Sequence, residues 1–518
     1  MWSPIVCILN RGTSFRSRQG LCSLTQIIEI DSRFYSFNSR SHIQELPGEQ
    51  PDKLKGAKWK IMENFDWLRE VAPAFPVDGD KVTIIHEPSV FYTTLVERCK
   101  NAERRISLAS LYLGAQQLEE DLVKSIRTSI DATNGNIKIN ILLDYMRGSR
   151  GKINSRKMLL PLLDGTTSEN CNLFFYHTPQ LRGISKAIIP QRYNELIGLQ
   201  HMKIYICDDS LIISGANLSN DYFTNRQDRY FLIEDCKELC DFYDELIQRV
   251  SAFSFRLTPG DIMSYSSESL HHPLRGSVRT FKETVREKIQ SLSLKAMGEF
   301  NSLKPVDSDT WIFPLIQMGT FNIHQDSEVT LNLLKTAPPG SLLRIATSYL
   351  NLTSEYREAL IRHCEGTCEL LTAHPSANGF FGAKGVAGGI PAAYTLIEKS
   401  FFKEVERRGL DHRIKLREYI RPGWTYHAKG LWYTLPSHKR PCFTLIGSSN
   451  FGYRSVKRDL ECQIGLVTRN EGLQEALEYE HNRLFKKSEP VTTQTFNQRD
   501  RIPPTWVCAV ATLFRYWF

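Results

Sequence analysis

From residue 80 onward the chain states one order of elements twice, and a duplicated unit of this length constrains the fold more than any single motif does. KVTIIHEPSVFYTTLVERCKNA reads as a short apolar strand, a turn and an amphipathic helix, and TWIFPLIQMGTFNIHQDSEVTLNLLKTA repeats that order. RRISLASLYLGAQQLEEDLVKSI has its echo in LLRIATSYLNLTSEYREALIRH. Each is a strand-like run ending in a Tyr-Leu pair (Tyr112-Leu113, Tyr349-Leu350), followed by helical periodicity with acids in its first turns. A third strand, IKINILLD in one half and TCELLTAH in the other, empties into a loop rich in glycine and base, RGSRGK or NGFFGAKG. Strands alternating with helices imply an α/β sheet sandwiched between helices, built twice. The halves are expected at 80–250 and 304–490, joined by a connector over 251–303 that holds SYSSESLHHP and a charged helical pattern.

Each half closes on a segment able to carry chemistry. In QHMKIYICDDSLIISGANLSNDYFTNRQDRYFLI, His201 and Lys203 are two apart, so in extended chain they share a face. Asp208 lies five residues past Lys203; Ser214, Gly215 and Asn217 form a small-residue turn, and Asp228 stands eleven beyond Asn217. In YHAKGLWYTLPSHKRPCFTLIGSSNFGYRSVKRDLECQIGLV, His427 and Lys429 repeat the two-residue step. Gly447, Ser448 and Asn450 repeat the turn, and Glu461 is again eleven past its asparagine. From histidine to asparagine the first copy spans 16 residues and the second 23, and the seven extra fall around Leu435 to Pro441, where proline and bases signal a turn. Thr434 occupies the place of Asp208.

HxKxxxxD followed by GSxN, in two copies, resembles the signature of the phospholipase D superfamily. The likeness runs over residues 60–490 and narrows to the eukaryotic mitochondrial phosphatidylglycerophosphate synthases, which share the degenerate second copy and stretches like HAKGLW, IGSSNFGYRS and NGFFGAKGVAGG. The resemblance implies two αβα lobes in a pseudo-twofold arrangement with the active site at their interface. It also implies transfer of the phosphatidyl group from CDP-diacylglycerol to glycerol 3-phosphate, with release of CMP, for phosphatidylglycerol and cardiolipin synthesis. An anionic phosphodiester repels nucleophiles, so lysines and amide donors must neutralise it while a neutral imidazole attacks to give a phosphohistidine. A second imidazole serves as acid and base, and a carboxylate on the other ring nitrogen fixes the tautomer. His201, with the complete motif, is the expected nucleophile and His427 the general acid/base; the reversed roles stay open. Lys203, Asp208 and Lys429 complete the catalytic set, with Asn217, Asn450, Ser448, Asp228 and Glu461 as substrate-site candidates and Asp459 or Glu461 compensating for Thr434.

Arg147, Arg150, Lys152 and Lys384 are candidates for the acceptor's phosphate, or else solvated loop charges. Relatives are sometimes ascribed a nucleotide-binding segment matching ASLYLGAQ, which marks Ser110, Tyr112 and Gly114, although one glycine makes no phosphate cradle. No cofactor is expected, and no carboxylate cluster suits a two-metal site.

Lysine plus arginine number 65 against 57 acids, a net charge of +8 that suits an anionic partner without naming it. Twelve scattered cysteines read as reduced and structural. Residues 1–40 read as a mitochondrial presequence: up to Ile28 there are three arginines, several serines and no acid. A secretory signal lacks its preceding bases, and a tail of no address is the plain alternative. The tail 491–518 ends in TWVCAVATLFRYWF, too short to span a bilayer and suited either to a membrane interface or to a buried terminal helix. Contact with the matrix side of the inner membrane is expected from the lipid substrate. Rival readings are a phospholipase D-type hydrolase or cardiolipin synthase using the same intermediate, a nuclease, and a dead scaffold suggested by Thr434.

Overall fold

Two sheets carry the duplicated pattern. The computed structural model describes residues 60–164, 170–183, 197–265, 272–301 and 308–508, all within one compact unit, Ala57–Phe518. The expected presequence and the last ten residues lie outside them. In chain order the strands are β1 (Phe75–Val77), β2 (Val82–Ile85), β3 (Arg105–Ala109), β4 (Lys138–Asp144), β5 (Cys171–Tyr176), β6 (Ile204–Cys207) and β7 (Ser210–Ser214). There follow β8 (Arg226–Gln227), β9 (Tyr230–Ile233), β10 (Phe255–Thr258), β11 (Ile262–Ser264), β12 (Thr310–Met318), β13 (Ile323–His324) and β14 (Leu342–Ala346). The last are β15 (Thr367–Ala373), β16 (Ile414–Tyr419), β17 (Thr425–Tyr426), β18 (Gly430–Thr434), β19 (Phe443–Gly447), β20 (Leu460–Thr468) and β21 (Ser488–Pro490).

The run β5-β4-β3-β6-β7-β9-β2 in the first sheet matches β16-β15-β14-β18-β19-β20-β12 in the second, strand for strand. In each, the first three strands are parallel and the histidine-bearing hairpin is antiparallel to them. This is the α/β, twice-built architecture the repeat implies. The seven extra residues of the second copy fall in the connection between β18 and β19.

Period-two alternation decides the layers. Met202, Ile204 and Ile206 enter a core that the two lobes share, whereas Tyr205 and Cys207 face the core of the first lobe. In the second copy Ala428 and Trp432 enter the shared core and Leu431 and Tyr433 face their own lobe. The helix Lys237–Ser251 buries Leu239, Phe242, Tyr243, Leu246, Ile247 and Val250, the one-sided stripe of a 3.6-residue period, against that shared core. Among the described residues no cysteine forms a disulfide.

The expected boundaries need correction at three places. β10 and β11 extend the first sheet to Ser264, past 250, by pairing with β5. The rest of the expected connector includes the helix Val278–Phe300, whose Phe281, Val285, Ile289 and Leu292 belong to the shared core. β1, which precedes the first lobe, pairs with β12 of the second. The described part of the tail is packed on the second lobe: Arg501 donates to both oxygens of buried Glu418 at 2.5 Å, and Trp506 lies against Gly389.

Candidate active site

Backbone bonds between the lobes place the two histidines before their rings take part. The His201 N–H donates to the Leu460 carbonyl and the Leu460 N–H to the Leu199 carbonyl, both at 2.8 Å. Leu460 immediately precedes Glu461. Across the pseudo-twofold, β17 pairs in parallel with β8, and the His427 N–H donates at 2.8 Å to Gln227, which immediately precedes Asp228. Each histidine is thus carried by one lobe and stitched to the acid-bearing strand of the other.

The carboxylates follow that exchange. Glu461 oxygens lie 2.9 and 2.8 Å from His201 Nδ1, and Asp228 Oδ2 lies 2.6 Å from His427 Nδ1. The imidazole of the second motif is thus held by Asp228, from the first lobe, and not by Asp459 or Glu461. Lys203 Nζ donates to the His201 carbonyl at 2.7 Å and Lys429 Nζ to the His427 carbonyl at 2.8 Å. Lys429 Nζ also stands 2.8 Å from His427 Nδ1. The Tyr222 hydroxyl lies 3.2 Å from His427 Nε2, with the two rings edge to face. All four motif side chains are buried: His201 is 4 % exposed, Lys203 0 %, His427 9 % and Lys429 1 %.

No family model matches the chain. Over 483 residues, 88 % of this chain and 86 % of the relative, it is 42 % identical to the Homo sapiens mitochondrial CDP-diacylglycerol–glycerol-3-phosphate 3-phosphatidyltransferase. The chain belongs to that phosphatidyltransferase family. It is also 34 % identical over 450 residues to the Saccharomyces cerevisiae member, covering 82 % of this chain and 85 % of that one. Among solved structures, the phosphatidylserine synthase of Haemophilus influenzae superposes with a TM-score of 0.65 at 18 % identity, over 89 % of this chain and 97 % of that one, which shows the shared fold.

Burial dominates the electrostatics of this phosphatidyltransferase site. It lowers both histidines well below the ordinary imidazole value, and neighbouring cations add to it: Lys203 at His201, Lys429 at His427. Both rings are neutral at physiological pH, as a nucleophile or general base must be. Burial also raises the carboxyls, Asp228 to about 6 and Glu461 to about 7, and lowers Lys429 to about 8. His427 feels Lys203 and His201 from the other lobe, and His201 feels Lys429, so the two motifs belong to one site.

Other expected site residues are distributed unevenly. Asp208 sits in the two-residue turn between β6 and β7 at φ 53°, where its carboxylate accepts from the backbone N–H groups of Glu103, Arg104 and Arg105. Seven residues of extended chain, at about 3.3 Å each, separate it from His201. Asp208 is thus corrected from the catalytic set to a tie between hairpin and sheet, and Thr434, paired with Leu342 at the far end of β18, takes no acid away from the chemistry. The Oδ1 atoms of Asn217 and Asn450, each in the small-residue turn of its copy, are buried and have no hydrogen-bond partner among the described residues. Ser448 is committed to Cys462, donating to its carbonyl at 3.1 Å and accepting from its N–H at 3.0 Å. At Gly215 a Cβ would come within 2.6 Å of Asp228 Oδ1, so only glycine lets this turn approach the carboxylate.

Arg147 stacks on the Tyr112 ring at 4.2 Å, whereas Arg150, Lys152 and Lys384 are exposed on their loops. Ser110 is buried and accepts through its carbonyl from Gln200, and Gly114 packs on the Glu119 carboxylate. Both serve packing. Tyr112 reaches the site's edge through a 3.0 Å bond between its hydroxyl and Ser219 Oγ.

His201, Asp459 and Glu461 offer three donor atoms within 4.8 Å of one another. Asp459 already pairs with Arg454 at 2.9 Å and accepts from the Leu199 N–H, and Lys203 and Arg454 bring positive charge to the trio, which opposes a further cation. Sequence reasoning missed Tyr222 and Arg226, although both lie in the quoted first segment. Their counterparts at the same offsets from Asn450 are Ser455 and Asp459, so the repeat that revealed the motifs gave no signal for them.

Proposed function

We propose that the chain transfers the phosphatidyl group of CDP-diacylglycerol to the 1-hydroxyl of sn-glycerol 3-phosphate through a covalent phosphohistidine on His201. The observation that carries this is the crossed pairing. Each imidazole has its Nδ1 on a carboxylate of the opposite lobe, which leaves Nε2 as the reactive nitrogen. In the first step the His201 Nε2 lone pair attacks the phosphorus bearing diacylglycerol and the bond to the CMP oxygen breaks; His427, neutral in the empty site, takes up a proton as the anionic diphosphate binds beside it and passes that proton to the leaving group. In the second, His427 takes the proton of the acceptor hydroxyl, that oxygen attacks the phosphorus, and the P–N bond breaks to restore His201. Lys203 and Lys429 neutralise the non-bridging oxygens in both steps, and the side-chain amides of Asn217 and Asn450 donate to them.

Relatives are named mitochondrial, and residues 1–28, basic and free of acid, suit import. We assign the chain to the mitochondrion, working on the matrix side of the inner membrane where its lipid donor is embedded. Among the described residues no helix is long and apolar enough to cross a membrane.

Incubation of the purified chain with CDP-diacylglycerol, with and without glycerol 3-phosphate, tests the reading. Phosphatidylglycerophosphate and CMP should form in equal amounts only when acceptor is present. Without acceptor an enzyme carrying the phosphatidyl group on an acid-labile P–N bond should accumulate in wild type and not in His201→Ala. Phosphatidic acid formed at the same rate with or without acceptor would assign a hydrolase instead.

A further inference from the structure

The pseudo-twofold is broken at one pair of positions. Arg226 and Asp459 stand nine residues after Asn217 and Asn450, and each directly precedes the residue, Gln227 or Leu460, that accepts the opposite histidine's N–H. His201 is therefore faced by a carboxylate, itself held on Arg454, while His427 is faced by a guanidinium. Arg226 is fixed by Thr425 Oγ1 at 2.9 Å, lies over the Tyr222 ring at 4.7 Å and is only 16 % exposed. Its carboxylate partner, Asp221 at 3.2 Å, is 57 % exposed, so that pair is screened by solvent and yields readily to a dianion. A Cβ on Gly379 would sit 3.6 Å from Arg226 Nη2 and 3.6 Å from the Tyr349 hydroxyl, which marks a space between these two donors that glycine keeps open.

We propose that Arg226 and the Tyr349 hydroxyl, with Gly379 as the floor between them, form a second anion site that takes the phosphomonoester of the acceptor. This rests on the phosphatidyltransferase reading above. The site lies on the His427 side, where the attacking hydroxyl must be deprotonated. Tyr222 touches both groups, its ring centroid 5.0 Å from the imidazole's and 4.7 Å from the Arg226 guanidinium carbon, so arginine and histidine are separated by no more than these two contacts. A phosphate three carbons away from the attacking hydroxyl spans such a gap. The second phosphorus of the donor's diphosphate, one bridging oxygen from the first, does not. The exposed bases Arg150, Lys152 and Lys384 lack this enclosure.

Steady-state kinetics of Arg226→Gln, Arg226→Lys and Gly379→Val, with both substrates varied, test the assignment. Arg226→Gln should raise the KM for glycerol 3-phosphate about ten- to a hundredfold, with the KM for CDP-diacylglycerol changed less than about twofold. Gly379→Val, which leaves every charge in place, should produce the same split by filling the space, and Arg226→Lys a smaller one. Inorganic phosphate, competing with glycerol 3-phosphate in wild type, should lose potency in Arg226→Gln in parallel. A rise confined to the CDP-diacylglycerol KM would place the donor's diphosphate there. A fall in kcat with both KM values unchanged would make Arg226 a positioning residue for Tyr222 and His427. Either outcome overturns the proposal, while a wild type inert toward glycerol 3-phosphate overturns the underlying function instead.

Discussion

A buried imidazole next to a buried carboxylate is tuned by what surrounds the pair. His201 with Glu461 and His427 with Asp228 lie out of water, where charge on any single member is penalised and the shared proton fixes the reactive nitrogen as Nε2. The signs give a pH profile. Glu461, raised to about 7, takes up a proton below that value and stops holding the Nδ1 hydrogen; Asp228 follows near 6. Lys429, lowered to about 8, loses above that value the charge that neutralises phosphate. The kcat/KM profile should accordingly be a bell with its maximum between these limits. In the kcat profile the alkaline limb should move upward, because bound phosphate favours the ammonium form. Glu461→Gln should erase the inflection near 7 and lower kcat by about four orders of magnitude, since the amide stabilises the wrong tautomer. A profile flat from pH 6 to 9 would refute this electrostatic account. At this scale spacing singled out the histidines and lysines, because covalent neighbours fix which face a side chain takes, and it marked Asp228 and Glu461 as candidates for binding substrate, whereas both lie on imidazole Nδ1 atoms. Which acid serves which histidine was not legible, because Leu460 and Gln227 meet the histidine strands only through contacts between lobes.

Elements join through ties that a motif reading mistakes for chemistry. Asp208 closes three backbone N–H groups at the entry to β3, the Arg104 N–H at 2.7 Å, and its positive φ suits the tight β6–β7 turn. The longer β18–β19 connection of the second lobe makes a different turn, so Thr434 suffices there. Asp208→Ala should cost about 1–3 kcal/mol of stability, seen as a lowered thermal midpoint, with kcat unchanged in enzyme kept below that midpoint. Loss of kcat without loss of stability would return Asp208 to the chemistry. The same reasoning explains why the central strands were readable and the margins were not. IKINILLD and TCELLTAH announce β4 and β15 by composition, whereas β10, β11 and the helix Val278–Phe300 owe their places to partners far away in sequence.

Across the whole molecule the lobes are held at the site by an ion pair that belongs to both. Arg229, next to Asp228, donates to Glu480 at 2.9 and 2.8 Å, to Thr444 Oγ1 at 2.9 Å and to the Leu445 carbonyl at 2.8 Å, and its guanidinium covers Trp432 at 3.8 Å. Trp432 Nε1 donates to the same carboxylate at 2.9 Å. The arginine comes from the first lobe and each of these partners from the second. The corresponding position in the second copy is Cys462, whose thiol meets Tyr243 of the first lobe, so the charged lock exists on the His427 side alone. Removing one partner leaves the other charge buried and unpaired, so Arg229→Met should lose about 3–5 kcal/mol. Arg229→Met/Glu480→Gln, which keeps an acceptor for the indole N–H, should recover much of that loss. Because the helices Lys237–Ser251, Val278–Phe300 and Glu471–Phe485 share one core between the sheets, calorimetry should record a single transition that moves as a whole in each variant. Two transitions, only one of them displaced by Arg229→Met, would mean that the lobes fold independently and that the lock merely aligns them. In that case the crossed histidine–carboxylate pairs would be assembled by docking, and kcat would fall at temperatures where both lobes are still folded.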